Sequence, residues 1–270
     1  LLPRQYLATE FLERVEVLRG ASAFLNGAAP GGSGLGGAVN AVPKRAPNDA
    51  LNEITLGVDS GGQGYVAADI ARRFGPDQSV GVRLNLARRD GNTVVDDAKR
   101  ELTVAALGLD FRTGNLRLSA DIGYQDHKLK NAQPSITIAS GPIPSAPDAS
   151  KNLGQPWTYS NEKDTFGTVR AEYDVSRDWT VWGAYGMRNG DEANDLAGTT
   201  VNAAGNINYL RSVVTRQDRI TTGEVGIRGQ LKTGDVSHTL VFSAATYRGK
   251  TNAPYAFADF AGVTTTGSLY

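Results

Sequence analysis

Cysteine is absent from these 270 residues, methionine occurs once and histidine twice. Without cysteine there are no disulfides, zinc fingers, iron–sulfur clusters or thiol nucleophiles. The two histidines, His127 and His238, leave little material for an imidazole metal site or a hydrolytic triad. Both are expected at the surface or at an interface rather than as general bases. Neither sign of charge is in excess, with 28 Lys+Arg against 28 Asp+Glu. A nucleic-acid binder normally presents a basic face, so that class is set aside. Long hydrophobic runs are missing too. The longest uncharged stretch, 20–43, is broken by Gly and Pro throughout and cannot supply the ~20 consecutive residues of a transmembrane helix. Membrane-spanning strands survive this test, because their signal per segment is weak. Residues 1–4 show neither an initiator Met nor a signal peptide, and both ends are expected to be cuts in a longer chain.

What is present is glycine, 32 residues of it, and a change of texture near residue 50. Before that point stand a short strand-like run at 14–18 and a Gly/Pro-rich tract at 27–37. After it the sequence alternates with period two, the sign of strands with two unlike faces. Leu116, Leu118, Ala120, Ile122 and Tyr124 oppose Arg117, Ser119, Asp121, Gly123 and Gln125. The spacing predicts nine strands, near 52–59, 65–74, 79–89, 100–112, 116–126, 164–175, 179–188, 219–231 and 237–248. Most match the ~9–11 residues that a tilted membrane strand needs. Tight turns near 75–78, 113–115, 176–178 and 233–235 alternate with longer polar loops at 90–99, 127–161 and 189–211. Such asymmetry belongs to outer-membrane barrels. Phe74, Phe111, Tyr173 and Trp179 beside the short turns, with Tyr124 and Tyr247 near the long loops, suit two interfacial belts. A general liking of aromatics for strands would also place them there.

No catalytic constellation emerges. Gly32, Gly34 and Gly37 satisfy the spacing of a dinucleotide fingerprint. Pro30 precedes them and Pro43 and Pro47 interrupt any following helix, so the strand–helix context is missing. Asp96 and Asp97 sit in a loop where charge keeps the chain wet.

The strongest signal lies in the first 50 residues. ERVEVLRG at 13–20, ASAFLNG at 21–27, PGGSGLGGAVN at 30–40 and VPKR at 42–45 resemble the end of the plug domain of TonB-dependent outer-membrane receptors, most closely the ferric-siderophore branch. The resemblance implies that 1–50 is the C-terminal part of a plug and 51–270 the N-terminal part of a transmembrane barrel. The fold class expected is therefore all-β, an antiparallel barrel of about nine strands here, preceded by plug. Glycine permits close packing inside such a barrel, although a Gly-rich tract also suits a flexible linker. Phe24, Leu25, Leu35 and Val39 favour a structured plug.

Several residue roles follow from the resemblance alone. Glu13, Arg14, Glu16, Arg19, Gly20, Gly31, Gly32, Asn40, Lys44 and Arg45 match the plug motif and its contacts with the barrel. Arg19 is cast as a lock onto acidic residues of the wall, with a plain structural ion pair as the alternative. The segment just before the motif faces the ligand in such receptors, which nominates Arg4, Gln5 and Tyr6. Trp157 and Tyr159, closing the longest loop, are further nominees. Arg4 also reads as an ordinary solvated charge. The implied ligand is a ferric siderophore, with no covalently bound cofactor and no metal site of the protein's own. The implied partners are TonB, through a segment outside this chain, and outer-membrane lipid. Two other readings stay open: a small complete barrel acting as passive pore or adhesin, and, more remotely, a dinucleotide-binding enzyme.

Overall fold

The computed structural model describes residues 2–20, 36–139, 141–258 and 265–269. Gly31 and Gly32, with Phe24, Leu25 and Leu35, lie outside the described residues. Two short strands come first, β1 (Leu12–Arg19) and β2 (Gly37–Pro43), paired antiparallel from Leu12 opposite Pro43 to Arg19 opposite Gly37. Gly37 opens β2 at φ 113°, and a Cβ there would lie 2.0 Å from the Leu18 carbonyl oxygen. It begins a strand rather than a helix, so the dinucleotide context fails.

Next come β3 (Leu51–Asp59), β4 (Gln63–Phe74), β5 (Val80–Asn92), β6 (Lys99–Thr113) and β7 (Leu116–Lys130). A short β8 (Ile136–Ile138) is followed by β9 (Tyr159–Asp174), β10 (Trp179–Val201), β11 (Asn206–Thr233) and β12 (Val236–Asn252). β13 (Tyr255–Phe257) and β14 (Thr265–Ser268) close the list. The main sheet runs in the order β12-β11-β10-β9-β7-β6-β5-β4-β3, with every neighbour antiparallel. β8 joins the far end of β10, and β13 and β14 that of β11.

All nine expected strands form. At the short-turn end their bounds fall within two residues of expectation, because the alternation there is clean. Gly114 (φ 49°) and Gly234 (φ 61°) occupy the left-handed region in the tight turns 114–115 and 234–235. At the other end the strands run further than expected. The predicted loop at 189–211 is a hairpin, since β10 and β11 reach 23 and 28 residues and pair out to Val201 opposite Ile207. Ladder pairing continues through Asp191 and Asp195 on one face and Glu192 and Asn194 on the other, where apolar alternation lapses.

The two faces differ as the sequence requires. The outer face presents Ile54 (74% exposed), Val169 (53%) and Phe242 (63%) in mid-strand. Bare apolar side chains on this scale suit hydrocarbon, not water. Phe74, Phe111, Tyr173 and Trp179 line the outer face beside the short turns, and Tyr124 stands on it further along β7. Tyr247 differs from expectation. It pairs with Thr222, two residues from Glu224, and so belongs to the inner polar face.

Candidate functional site

The inner face is where the N-terminal segment sits. Ala8, Phe11 and Leu12 pack against Ala87 of β5 and Leu102, Val104 and Ala106 of β6. These wall residues are apolar on a face that is otherwise charged, and the segment covers them. Phe11 also tilts against Phe166 of β9, ring centroids 5.3 Å apart. Phe166 in turn lies across Gly123, where an added Cβ would come 2.0 Å from the ring.

Around this small apolar seat the contacts are ionic. Lys44 Nζ donates to Asp69 Oδ2 at 2.9 Å, and the Arg83 guanidinium grips the same carboxylate with two bonds of 2.8 Å. Arg83 Nη1 also donates to the Arg45 carbonyl at 2.7 Å and lies 3.8 Å from Glu13. Arg45 turns the other way. It makes a bidentate pair with Asp121 of β7, whose carboxylate also accepts from Thr168 at 3.0 Å. Two adjacent plug-motif cations thus reach carboxylates on β4 and β7. Between those strands, Gly108 of β6 lets the backbone approach: a Cβ would stand 3.0 Å from the Lys44 carbonyl and 3.1 Å from Arg45 Nη1. Arg73 Nε on β4 holds the Ala46 carbonyl at 3.2 Å, and Arg112 on β6 donates to Asn48 at 3.1 Å.

The three leading residues of the expected ligand-facing segment lie together on the same face. Arg4 and Gln5 both donate to the Glu192 carboxylate of β10, Gln5 at 3.0 Å. That hydrogen bond raises the Arg4 guanidinium above its ordinary value. Glu192 stands directly opposite Glu162 in the ladder. Like charges opposed across a pair are unfavourable, and Arg4 supplies the missing cation. Tyr6 stacks on His127 of β7 with centroids 3.9 Å apart and planes 13° off parallel. Burial pushes the Tyr6 phenol upward. His127, expected at the surface or at an interface, is 3% exposed and lies at an interface, with the Tyr6 ring stacked over it. His238 is exposed, as expected.

The remaining nominees scatter. Trp157 lies under the Arg211 guanidinium, 4.8 Å from its ring centre, and Tyr159 opens β9 opposite Lys130 and Asp195. Arg14 and Asn40 both donate to Glu16, at 2.7 and 2.9 Å, which holds that carboxyl below its ordinary value, Asn40 being the larger cause. Arg19 is exposed and makes no ion pair with the described residues, and Gly20 follows β1 at φ 82°. Sequence reasoning passed over Gln125, Asp164, Arg188 and Asp218. All four are buried on the inner face. Asp164, Arg188 and Asp218 fell at or just beyond expected strand ends, so their inward aim went unread.

A sheet of long antiparallel strands, apolar outside and ionically joined inside to a segment of its own chain, defines a portion of a plugged outer-membrane barrel. Comparison with known proteins makes this specific. No family model matches the chain. It is 39% identical over 251 residues to the ferrichrome receptor FcuA of Yersinia enterocolitica, covering 92% of this chain and 33% of that protein. The crystal structure of BauA, the ferric preacinetobactin receptor of Acinetobacter baumannii, superposes with a TM-score of 0.93 at 28% identity, over 97% of this chain and 40% of that one. The outer-membrane ferripyoverdine receptor of Pseudomonas aeruginosa has the same fold, with a TM-score of 0.80 at 16% identity, over 96% of this chain and 35% of that one. The chain spans about a third of the length of the receptors it matches. It is related to the TonB-dependent siderophore receptors and carries part of their barrel. The relatives are receptors, not enzymes.

Proposed function

We propose that this chain is part of a TonB-dependent receptor of the outer membrane that takes up a ferric siderophore. In this reading 1–50 is the end of the plug and 51–270 the first part of the barrel. The observation that carries it is the seating of the N-terminal segment on the inner face, through Lys44 on Asp69 and Arg45 on Asp121. A passive pore has no use for a segment so held, and the inside of a barrel as small as nine strands is filled by its own side chains. Arg4, Gln5 and Tyr6 face the ligand side in this scheme, offering forked donors, an amide and an aromatic ring to an oxygen-rich chelate. The likeness to a ferrichrome receptor favours a ferric hydroxamate as cargo. No covalent step is involved. TonB supplies the work that rearranges the plug.

The test is uptake of radiolabelled ferrichrome by iron-starved cells in which the full-length receptor replaces all others. The expected result is saturable uptake that disappears when TonB is deleted while ferrichrome binding persists. Uptake that survives loss of TonB would overturn the energised reading. A receptor that binds no ferric hydroxamate would overturn the cargo.

A further inference from the structure

We infer that Gln125 of β7 is a positioning residue, a side-chain clamp that fixes the height and direction of segment 4–8 and so sets where Arg4, Gln5 and Tyr6 stand. Its carboxamide is wholly buried. Oε1 accepts from the Ala8 amide at 3.0 Å, and Nε2 donates to the Tyr6 carbonyl at 2.8 Å. These are the two bonds that one residue of a parallel strand makes to the residues on either side of its partner. A single side chain thus stands in for a strand where, among the described residues, segment 4–8 makes no backbone–backbone hydrogen bond to the wall.

The second Nε2 hydrogen goes to Asp164 Oδ2 at 3.1 Å. A carboxylate only accepts, so this contact fixes which end of the amide is nitrogen. Asp164 is itself held by Arg188 Nη1 at 2.7 Å, and Arg188 Nη2 lies 3.5 Å from Asp218. Asp218 in turn accepts from Arg216 at 2.9 Å and from Thr251 at 2.6 Å. The orientation of one amide under the segment is therefore set by a polar chain, buried from β7 through Asp218 of β11 and ending on exposed Thr251 of β12. Two residues further along β7 on the same face, His127 carries the Tyr6 ring. Backbone and ring of Tyr6 are held from one strand, and no other residue type does both jobs of Gln125. Glutamate would turn an acceptor toward the Tyr6 carbonyl and a second carboxylate toward Asp164.

The role in ligand contact rests on the reading of segment 4–6 given above, but the clamp is testable without any ligand. A nitroxide on Thr9→Cys, an exposed position in the segment, reports its mobility in the full-length receptor in outer-membrane vesicles. A second nitroxide on Val169→Cys, on the outer face, reports the barrel. Gln125→Glu and the apolar Gln125→Met should both convert the immobilised spectral component at position 9 into a mobile one, with the spectrum at 169 unchanged. The exchange Gln125→Glu with Asp164→Asn restores a donor between the two side chains but gives the Tyr6 carbonyl none. Position 9 should stay mobile. An immobile label in Gln125→Met would overturn the clamp. Recovery in the exchanged pair would also overturn it, leaving charge repulsion as the cause. Ferrichrome binding then separates the two readings: with the clamp released, affinity should fall at least tenfold, and unchanged affinity with a mobile label would refute the ligand-facing role while sparing the clamp.

Discussion

Replacing Asp121 by Ala should loosen the seat of the plug motif by about 2–4 kcal/mol. Asp121 is 9% exposed and accepts both arms of the Arg45 fork as well as the Thr168 hydroxyl. Hydrogen bonds to charged groups contribute about 1.5–3 kcal/mol each, and removing one partner of a buried pair costs about 3–5 kcal/mol. The Arg45 side chain keeps 31% exposure, so water recovers part of its solvation and the cost falls to about 2–4 kcal/mol. Hydrogen exchange of the full-length receptor reads this locally. The Ala8 amide is bonded to the wall, and the Lys44 amide is bonded to Phe11 inside the seat at 2.9 Å. Every 1.4 kcal/mol is tenfold in an equilibrium, so both amides should exchange about 30- to 1,000-fold faster in Asp121→Ala. Arg45→Ala should match it, and the double variant should cost much less than the sum. Exchange within threefold of the wild type, with additive singles, would refute the claim that this pair holds the segment.

Three further perturbations test the close approach at Gly108, the two faces of the sheet and the Tyr6 seat. Gly108→Val should unseat the same segment by overpacking, about 1–3 kcal/mol, because its Cβ alone meets the Lys44 carbonyl at 3.0 Å; exchange at the Lys44 amide reads it. Val169→Arg on the outer face should lower barrel stability in liposomes by about 2–4 kcal/mol, measured by denaturant unfolding. Ser119→Arg, facing inward one strand away, should cost far less, and equal losses would mean that the faces are misassigned. Alkaline titration tests the Tyr6 seat. A phenol whose folded pKa is raised keeps its stabilisation below the ordinary value of about 10 and loses it as pH rises from there through the folded value. Phenolate absorbance of the wild type minus that of Tyr6→Phe should therefore show a transition above the ordinary tyrosine range, coincident with release of the segment.

The sequence was most legible where one face meets lipid and the other meets charge. Leu116 to Tyr124 alternates cleanly, and β7 begins where that pattern begins. Legibility failed where this contrast fails. On β5 and β6 the outer-face residues Arg88, Asp90, Lys99 and Glu101 form a charged network beyond the apolar band, so the alternation ends although the ladder continues. On β6 the inner residues Leu102, Val104 and Ala106 are apolar because another part of the chain covers them. A strand apolar on both faces is the sequence sign of such cover. Pairing across the fold was beyond reach for the same reason. Nothing local in Asp121 or Gln125 says that residues 45 and 8 arrive above them. Lys44 and Arg45 were nominated through a motif, yet their partners emerge only from the register of β4 and β7.

The chemistry of the seat bears on why charges hold it. A buried ion pair is often no more stable than apolar side chains of similar volume, so Arg45 and Asp121 are not the tightest available joint. They are a separable one. When the segment leaves, water can rehydrate both groups on a polar wall, so the net cost of parting is modest. An apolar joint exposed in the same way would leave hydrocarbon against water. Arg45→Met with Asp121→Leu should therefore seat the segment as firmly as the wild type, or more firmly by about 1–4 kcal/mol, with slower exchange at the Lys44 amide. If the proposed transport requires the segment to leave, ferrichrome binding should persist in this variant while TonB-driven uptake falls. Full uptake with slowed exchange would show that the joint between residue 45 and β7 stays closed throughout the proposed transport, and that any work of TonB is spent elsewhere in the plug.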